Sequence, residues 1–206
     1  MEYLDVYDEN GIYVGKETRD MVHTKALWHN TVHCWLYDSM GNVYFQIRKD
    51  EGTFYTTASG HILAGESIKE GFGREIKEEI GIDIDYEKAV LVNVNKFVMD
   101  KVKKDGSIFK DRAFANVYVC LYDGNDKNFN FDINEVDGLI KVNALETSEL
   151  LNGKINNIVG KEIKRENDKI IEKERVIYLT DFLVCAGEIA SEKYGAILEK
   201  VISLTN

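Results

Sequence analysis

Three glutamates, Glu75, Glu78 and Glu79, sit at offsets of three and four within GHILAGESIKEGFGREIKEEIGI, residues 60–82. On a helix they share one face, where each like-charge pair costs roughly 0.2–0.5 kcal/mol. Gly71 and Gly73, in the same segment, each weaken a helix interior by about 1 kcal/mol relative to alanine. Costs concentrated in so short a segment suggest a cation that cancels the charge, and oxygen donors suit a hard divalent ion, Mg²⁺ or Mn²⁺. The competing reading is a solvated acidic face whose charges pair locally with Arg74 and Lys77.

The helix that must carry them has boundaries written in the sequence. Ser67 and Glu70 form a capping box, each side chain answering the backbone N–H of the other, and Gly81 stands where a helix ends in the left-handed conformation. The spacing therefore predicts a helix from Ile68 to Ile80. Ile68, Phe72, Ile76 and Ile80 recur every fourth residue and make a stripe that docks on a core, with the three carboxylates on the adjacent edge. Thr53 to Ala58 reads as a strand leading directly into this segment.

Taken whole, the stretch resembles the Nudix box at every fixed position: Gly60, five residues, Glu66, seven residues, Arg74-Glu75, aliphatic Ile76, any residue, Glu78-Glu79, any residue, Gly81, aliphatic Ile82. Weaker matches run from about His23 to Leu145. The resemblance implies an α+β fold, a Nudix-type α/β/α sandwich around a mixed sheet, with residues 1–206 forming one domain that carries a short N-terminal hairpin and a C-terminal helix. It implies hydrolysis of a phosphoanhydride in a nucleoside diphosphate linked to another group, by attack of water on phosphorus with Mg²⁺, or Mn²⁺, as cofactor. Glu75, Glu78 and Glu79 match the family's metal-ligand positions, and the carbonyl of Ser59 matches a position that often adds a ligand. The catalytic base falls among Glu75, Glu79 and Glu135, the last because Asn134-Glu135-Val136 resembles a downstream element that supplies it in many members. Lys141 stands where a tryptophan is common. Glu66 and Arg74 carry over as a pair holding loop and helix in register, with Gly60 and Gly81 structural. Arg48 matches a basic position suited to phosphate contact, with a plain surface arginine as the other reading, and His61 contacts substrate or bonds the backbone.

His23, His29 and His61, with Asn134-Glu135-Val136, are also similar to the pattern of isopentenyl-diphosphate isomerase, a Nudix relative whose histidines and glutamates hold a metal. In that enzyme a cysteine precedes the glycine–histidine pair, where Ser59 here supplies no thiol. Its box usually lacks glutamates at the places of Glu75 and Glu78, and this chain has both. Hydrolysis is therefore the expectation, and the histidines, His33 included, read as packing residues or a vestigial metal site. A non-catalytic nucleotide-binding module conflicts with the intact box carboxylates.

The chain has 206 residues, 44% hydrophobic and 11% aromatic, enough to bury a substantial core. A net charge of −10 argues against nucleic acid or an anionic membrane as partner. It also requires that an anionic substrate be held by local basic residues or metal ions. The partner expected is a small-molecule diphosphate, and the family often dimerises. Cys34, Cys120 and Cys185 have no metal or disulfide spacing, and the first two read as buried thiols. MEYLDVYDEN lacks a signal-like run and no segment approaches the ~18 apolar residues of a membrane helix, so the expected location is the cytoplasm.

Tyr3 to Lys16 alternates around Asn10-Gly11 and predicts a hairpin that covers one end of the domain or makes a dimer contact. Strands are expected at Thr31–Tyr37, Val43–Arg48, Ala89–Met99, Phe109–Tyr122 and Val136–Val142, and a helix at Ala144–Leu151. A final helix, capped by Thr180 or Asp181, is expected to run through Phe182, Leu183, Ala186, Ile189, Ala190, Tyr194, Ile197, Leu198 and Val201. Lys101, Lys103 and Lys104 read as a charged hairpin tip or as phosphate-facing. Arg19–Asn30 has no clear period, and Asn152–Arg175 reads as an extended excursion or two weak helical turns.

Overall fold

The computed structural model describes residues 1–49, 52–102, 106, 108–184 and 190–206. In chain order the elements are β1 (Tyr3–Tyr7), β2 (Tyr13–Thr18), α1 (Arg19–Lys25), β3 (His29–Tyr37), β4 (Asn42–Arg48), β5 (Phe54–Tyr55), β6 (Ala58–His61) and α2 (Ile68–Ile80). They continue as β7 (Val90–Val102), β8 (Ile108–Leu121), β9 (Val136–Asn143), α3 (Ala144–Leu151), β10 (Ile158–Glu166), β11 (Lys169–Ile177) and α4 (Ala190–Thr205).

The main sheet runs β11-β10-β9-β4-β3-β8-β7. Among the described strands, β3 and β8 are the pair that runs parallel, over His29↔Ala113 to Tyr37↔Leu121, so the sheet is mixed. β3 and β4 pair at Tyr37↔Val43 and then diverge. The gap is filled by β5, paired to β4, and β6, paired to β3. The strand expected at Thr53–Ala58 is thus two short strands, broken at Thr56-Thr57 because each must join a different partner. Both threonines are fully buried there. Thr56 Oγ1 donates to the Cys34 carbonyl, 3.2 Å away, and Thr57 Oγ1 donates to the Tyr44 carbonyl while accepting from Leu36 N–H at 3.0 Å. The hydroxyls satisfy backbone groups that the diverging ladder leaves without partners. Ser59, Gly60 and His61 consequently lie on a sheet strand and not on a loop.

Apolar side chains cover both faces of the sheet. Trp35, Phe45 and Val119 pack with Leu150 and Leu151 of α3 and Tyr194, Ile197, Leu198 and Val201 of α4. Cys34, Tyr44, Cys120 and Leu139 pack with Phe72, Ile76 and Ile80 of α2. This is an α/β/α sandwich, and Cys34 and Cys120 are buried thiols inside it; Cys185 lies outside the described residues. The N-terminal hairpin closes over a smaller cluster, Leu4, Val6 and Val22 against Leu27 and Leu63. Among the described residues no helix is long and apolar enough to cross a membrane.

α2 has its expected ends: Ser67 N donates to Glu70 Oε2 at 2.8 Å, Glu70 N to Ser67 Oγ at 3.3 Å, and Gly81 closes the helix at φ 73°. Its two interior glycines are not equivalent. A Cβ at Gly71 would stand 2.4 Å from Ile62 Cδ1, whereas one at Gly73 would meet nothing within 4 Å. Gly73→Ala is therefore expected to raise stability by about 1 kcal/mol, and Gly71→Ala to lower it by about 1 kcal/mol through overpacking. Urea midpoints of the two variants check this, and equal shifts would refute it.

Three further segments differ from expectation. Arg19–Lys25 is helical, too short and polar to show a period. Residues 152–175 hold no helical turns beyond the end of α3 but a long hairpin, β10–β11, closed at Asn167-Asp168 with φ 48° and 62°. Two left-handed residues make the tight turn that suits antiparallel strands, and dense Lys and Glu on this edge hid the alternation. In the C-terminal region Phe182 is not helical: it bridges to Phe54, and Leu183 N donates to the Phe54 carbonyl at 2.9 Å. Thr180 and Asp181 belong to a short 3₁₀ turn, and α4 begins at Ala190, while Ala186 and Ile189 lie outside the described residues.

Candidate active site

A cavity of about 730 Å³ opens where β3 and β4 diverge. Gln46 and Arg48 of β4, His33 of β3, Ser59, Gly60 and His61 of β6, Glu79 of α2 and Glu135 before β9 all line it.

The box carboxylates do not present one uniform acidic edge. Glu79 is 8% exposed, Glu75 has 13% of its side chain exposed and Glu78 has 59%. Glu79 follows Phe72 and Ile76 by seven and three residues, so the docked stripe carries it inward. Its Oε2 accepts from Gln46 Nε2 at 2.9 Å and from Ser59 N–H at 3.2 Å. Burial first, then the charges of Glu75 and Glu135, push its pKa up to about 8 against the lowering effect of those two donors. Glu75 is also raised, again by burial first, despite Arg74 beside it, with Glu78 and Glu135 adding repulsion. Burial of neighbouring carboxylates disfavours their charged forms, and a cation bound among them would relieve that cost.

Gly60 makes room for Glu75. A Cβ at Gly60 would lie 2.0 Å from Glu75 Cδ, so the carboxyl group rests directly against the strand backbone. Arg74 organises the rest. Its Nε and Nη2 donate to Glu66 at 2.8 and 2.9 Å, Nη2 also donates to the His61 carbonyl at 2.7 Å, and Nη1 donates to Glu75 at 2.7 Å and Glu78 at 3.1 Å. One planar guanidinium thus ties α2 to β6 and to the connecting loop. Lysine keeps the charge but not the fork; Arg74→Lys is expected to cost about 2 kcal/mol, read as a lower urea midpoint, and an unchanged midpoint would show the network is not structural.

Residues 27–157, more than half of the chain, match the sequence model of the NUDIX domain. The chain belongs to the Nudix family. A Clostridium acetobutylicum protein named as an uncharacterized Nudix hydrolase is 30% identical over 205 residues, spanning 94% of this chain and 92% of its own length. The crystal structure of DR0079 from Deinococcus radiodurans is similar in fold, with a TM-score of 0.53 at 20% identity over 74% of this chain and 89% of that one. Nudix proteins are hydrolases that generally use divalent metal ions.

The remaining Nudix candidates fall as follows. Arg48 lines the cavity with its guanidinium carbon 5.8 Å from the centre of the Tyr55 ring, and Lys193 of α4 stands 5.4 Å from the same ring. Lys101 lines the cavity as well, while Lys103 and Lys104 lie outside the described residues. Lys141 is not a lining residue: its Nζ is 2.8 Å from Asp38 Oδ2 and 4.9 Å from the Tyr44 ring centre. His61 stands at the cavity wall, and burial lowers its pKa to about 2. His33 also lines the cavity, its pKa held down to about 4 by burial. Sequence reasoning missed Gln46, Tyr55, Asp111 and Lys193 at this cavity. Gln46 did leave a signal, a polar residue inside the apolar run VYFQIR.

Proposed function

We propose that this Nudix hydrolase cleaves a phosphoanhydride of a nucleoside diphosphate linked to another group, with Glu75, Glu78, Glu79 and the Ser59 carbonyl holding Mg²⁺ or Mn²⁺. The observation that carries the reading is the burial of Glu75 against Gly60 and of Glu79 beside it, with Glu79 lining a cavity that also receives Glu135, Arg48, Lys101 and Lys193. Buried oxygen donors in excess of their cations fit a hard divalent ion. Such an ion supplies charge neutralisation for the diphosphate oxygens and a more acidic water.

The chain's own groups divide the remaining work. Arg48 and the lysines give an acidic protein a locally positive wall for an anionic substrate. Gln46 and the Ser59 N–H hold Glu79 in one orientation, and Arg74 with Gly60 holds Glu75. The proton of the attacking water goes to a carboxylate among Glu75, Glu79 and Glu135, of which Glu79 and Glu135 line the cavity. Arg48→Ala is expected to raise KM about tenfold with kcat changed less than threefold, the pattern of lost ground-state binding; an unchanged KM would return Arg48 to the plain surface reading.

The test is a panel of sugar nucleotides, dinucleoside polyphosphates, nucleoside triphosphates and isoprenoid diphosphates, incubated with the purified protein and Mg²⁺ or Mn²⁺. Nucleotide or phosphate release from at least one of the nucleotide compounds is expected. No product from any compound would overturn the hydrolase reading, and interconversion of isopentenyl and dimethylallyl diphosphate would replace it with the isomerase.

A further inference from the structure

We propose that His23, His29, His61 and Asp111 form a second metal site, separate from the box carboxylates, that holds one borderline first-row divalent ion of the zinc class. The four residues come from α1, β3, β6 and β8, and none of them is a box glutamate. The three imidazole ring centres form a nearly equilateral triangle, each pair 5.1 Å apart. One donor atom from each ring lies within 4.8 Å of the others. His23 Nε2 and His61 Nε2 are 3.1 Å apart. Tetrahedral zinc with Zn–N of about 2.0–2.1 Å separates its ligand atoms by about 3.3 Å.

Hydrogen bonds on the far side of two rings decide where their lone pairs point. His23 Nδ1 lies 3.1 Å from the Lys110 carbonyl, and His29 Nδ1 lies 3.1 Å from the Leu27 carbonyl. A carbonyl only accepts, so each Nδ1 carries the proton, and in the neutral ring Nε2 is left with its lone pair facing the cluster. Backbone acceptors behind ligating histidines are the usual device for fixing that tautomer.

His29 Nε2 shows the consequence. It is buried, has no hydrogen-bond partner, and stands 3.5 Å from Asp111 Oδ1, which is likewise buried and without a hydrogen bond. A lone pair facing a carboxylate oxygen in a dry pocket repels it, and each atom loses its water in exchange for nothing. A cation between them removes both costs. Three nitrogens and one carboxylate oxygen favour zinc, or cobalt and manganese in its place, over the all-oxygen ions suited to the box. The three imidazoles supply the convergent donors and the Asp111 carboxylate beside His29 adds the fourth, so the protein itself supplies the ligands of the proposed ion. His61 and Asp111 line the cavity, which puts the ion in its wall. Arg74 Nη2, bound to the His61 carbonyl, connects this site to the box helix.

The test uses the metal alone and does not depend on the hydrolase reading. Full-length protein stripped with chelator is titrated with Co²⁺, following the visible absorption of a four-coordinate nitrogen-rich ion, and with Zn²⁺ against a chromophoric chelator. One equivalent is expected, retained by Glu79→Gln, weakened more than about 100-fold by His29→Gln and about 10- to 100-fold by Asp111→Asn. Asp111→Asn is nearly isosteric and guards against a folding failure in His29→Gln, and thermal melts of both establish that they are folded. Absence of the Co²⁺ band in the wild-type chain would overturn the proposal. So would tight binding that survives both His29→Gln and Asp111→Asn but disappears in Glu79→Gln.

Discussion

Glu79→Gln is expected to lower turnover about 10³-fold, equivalent to about 4 kcal/mol of transition-state stabilisation, while leaving the fold intact. The change removes one formal charge and almost no volume. Glu79 is buried beside Glu75 and Glu135, and its charged form is disfavoured by all three circumstances. A glutamine in its place keeps a carbonyl oxygen for the Gln46 and Ser59 donors, now at 2.9 and 3.2 Å, and carries no charge to desolvate. Thermal stability measured without divalent ions should therefore stay level or rise. Turnover should fall because a neutral amide is a poor ligand for a hard cation and takes no proton from water. Kinetics on whichever diphosphate proves to be a substrate, with a thermal melt of the same preparation, separates the two effects. Wild-type turnover in a folded Glu79→Gln protein would remove Glu79 from the site.

Gly60→Ala should have the next largest effect, about 10²-fold on turnover with about 1–3 kcal/mol lost in stability. The new methyl group would lie 2.0 Å from Glu75 Cδ and 2.2 Å from both carboxylate oxygens. β6 cannot retreat, because Gly60 pairs with Val32 between the flanking pairs Thr31↔His61 and His33↔Ser59. Glu75 must move instead, away from a position that Arg74 Nη1 holds at 2.7 Å. Steady-state kinetics and a urea titration read the two losses, and normal turnover would show that the position of Glu75 against the strand does not matter.

Features decided by a few neighbouring residues are legible in the sequence alone. α2 runs from Ile68 to Ile80 with its capping box and Gly81 end, and α3 covers Ala144 to Leu151. Caps and apolar periods act over a turn or two, so the residues that decide them are adjacent in the chain. The Glu66–Arg74 pair was equally legible because both partners flank one helix start. β10–β11 was not, because its partner β9 supplies the apolar context that a charged edge hairpin lacks in isolation.

By itself, then, the sequence determined the Nudix box, the helix that bears it and the carboxylates on that helix. Only the tertiary structure decided which carboxylate is buried, since Glu75, Glu78 and Glu79 have the same chemistry and differ by how α2 docks on the sheet. It also decided that Thr53–Ala58 breaks to fill the divergence of β3 and β4, and that His23 and His29 meet His61 with Asp111 beside His29. Residues up to 88 positions apart in these groups have no short-range relation to read; strand pairing over long loops brings them together, and that pairing is a property of the whole sheet.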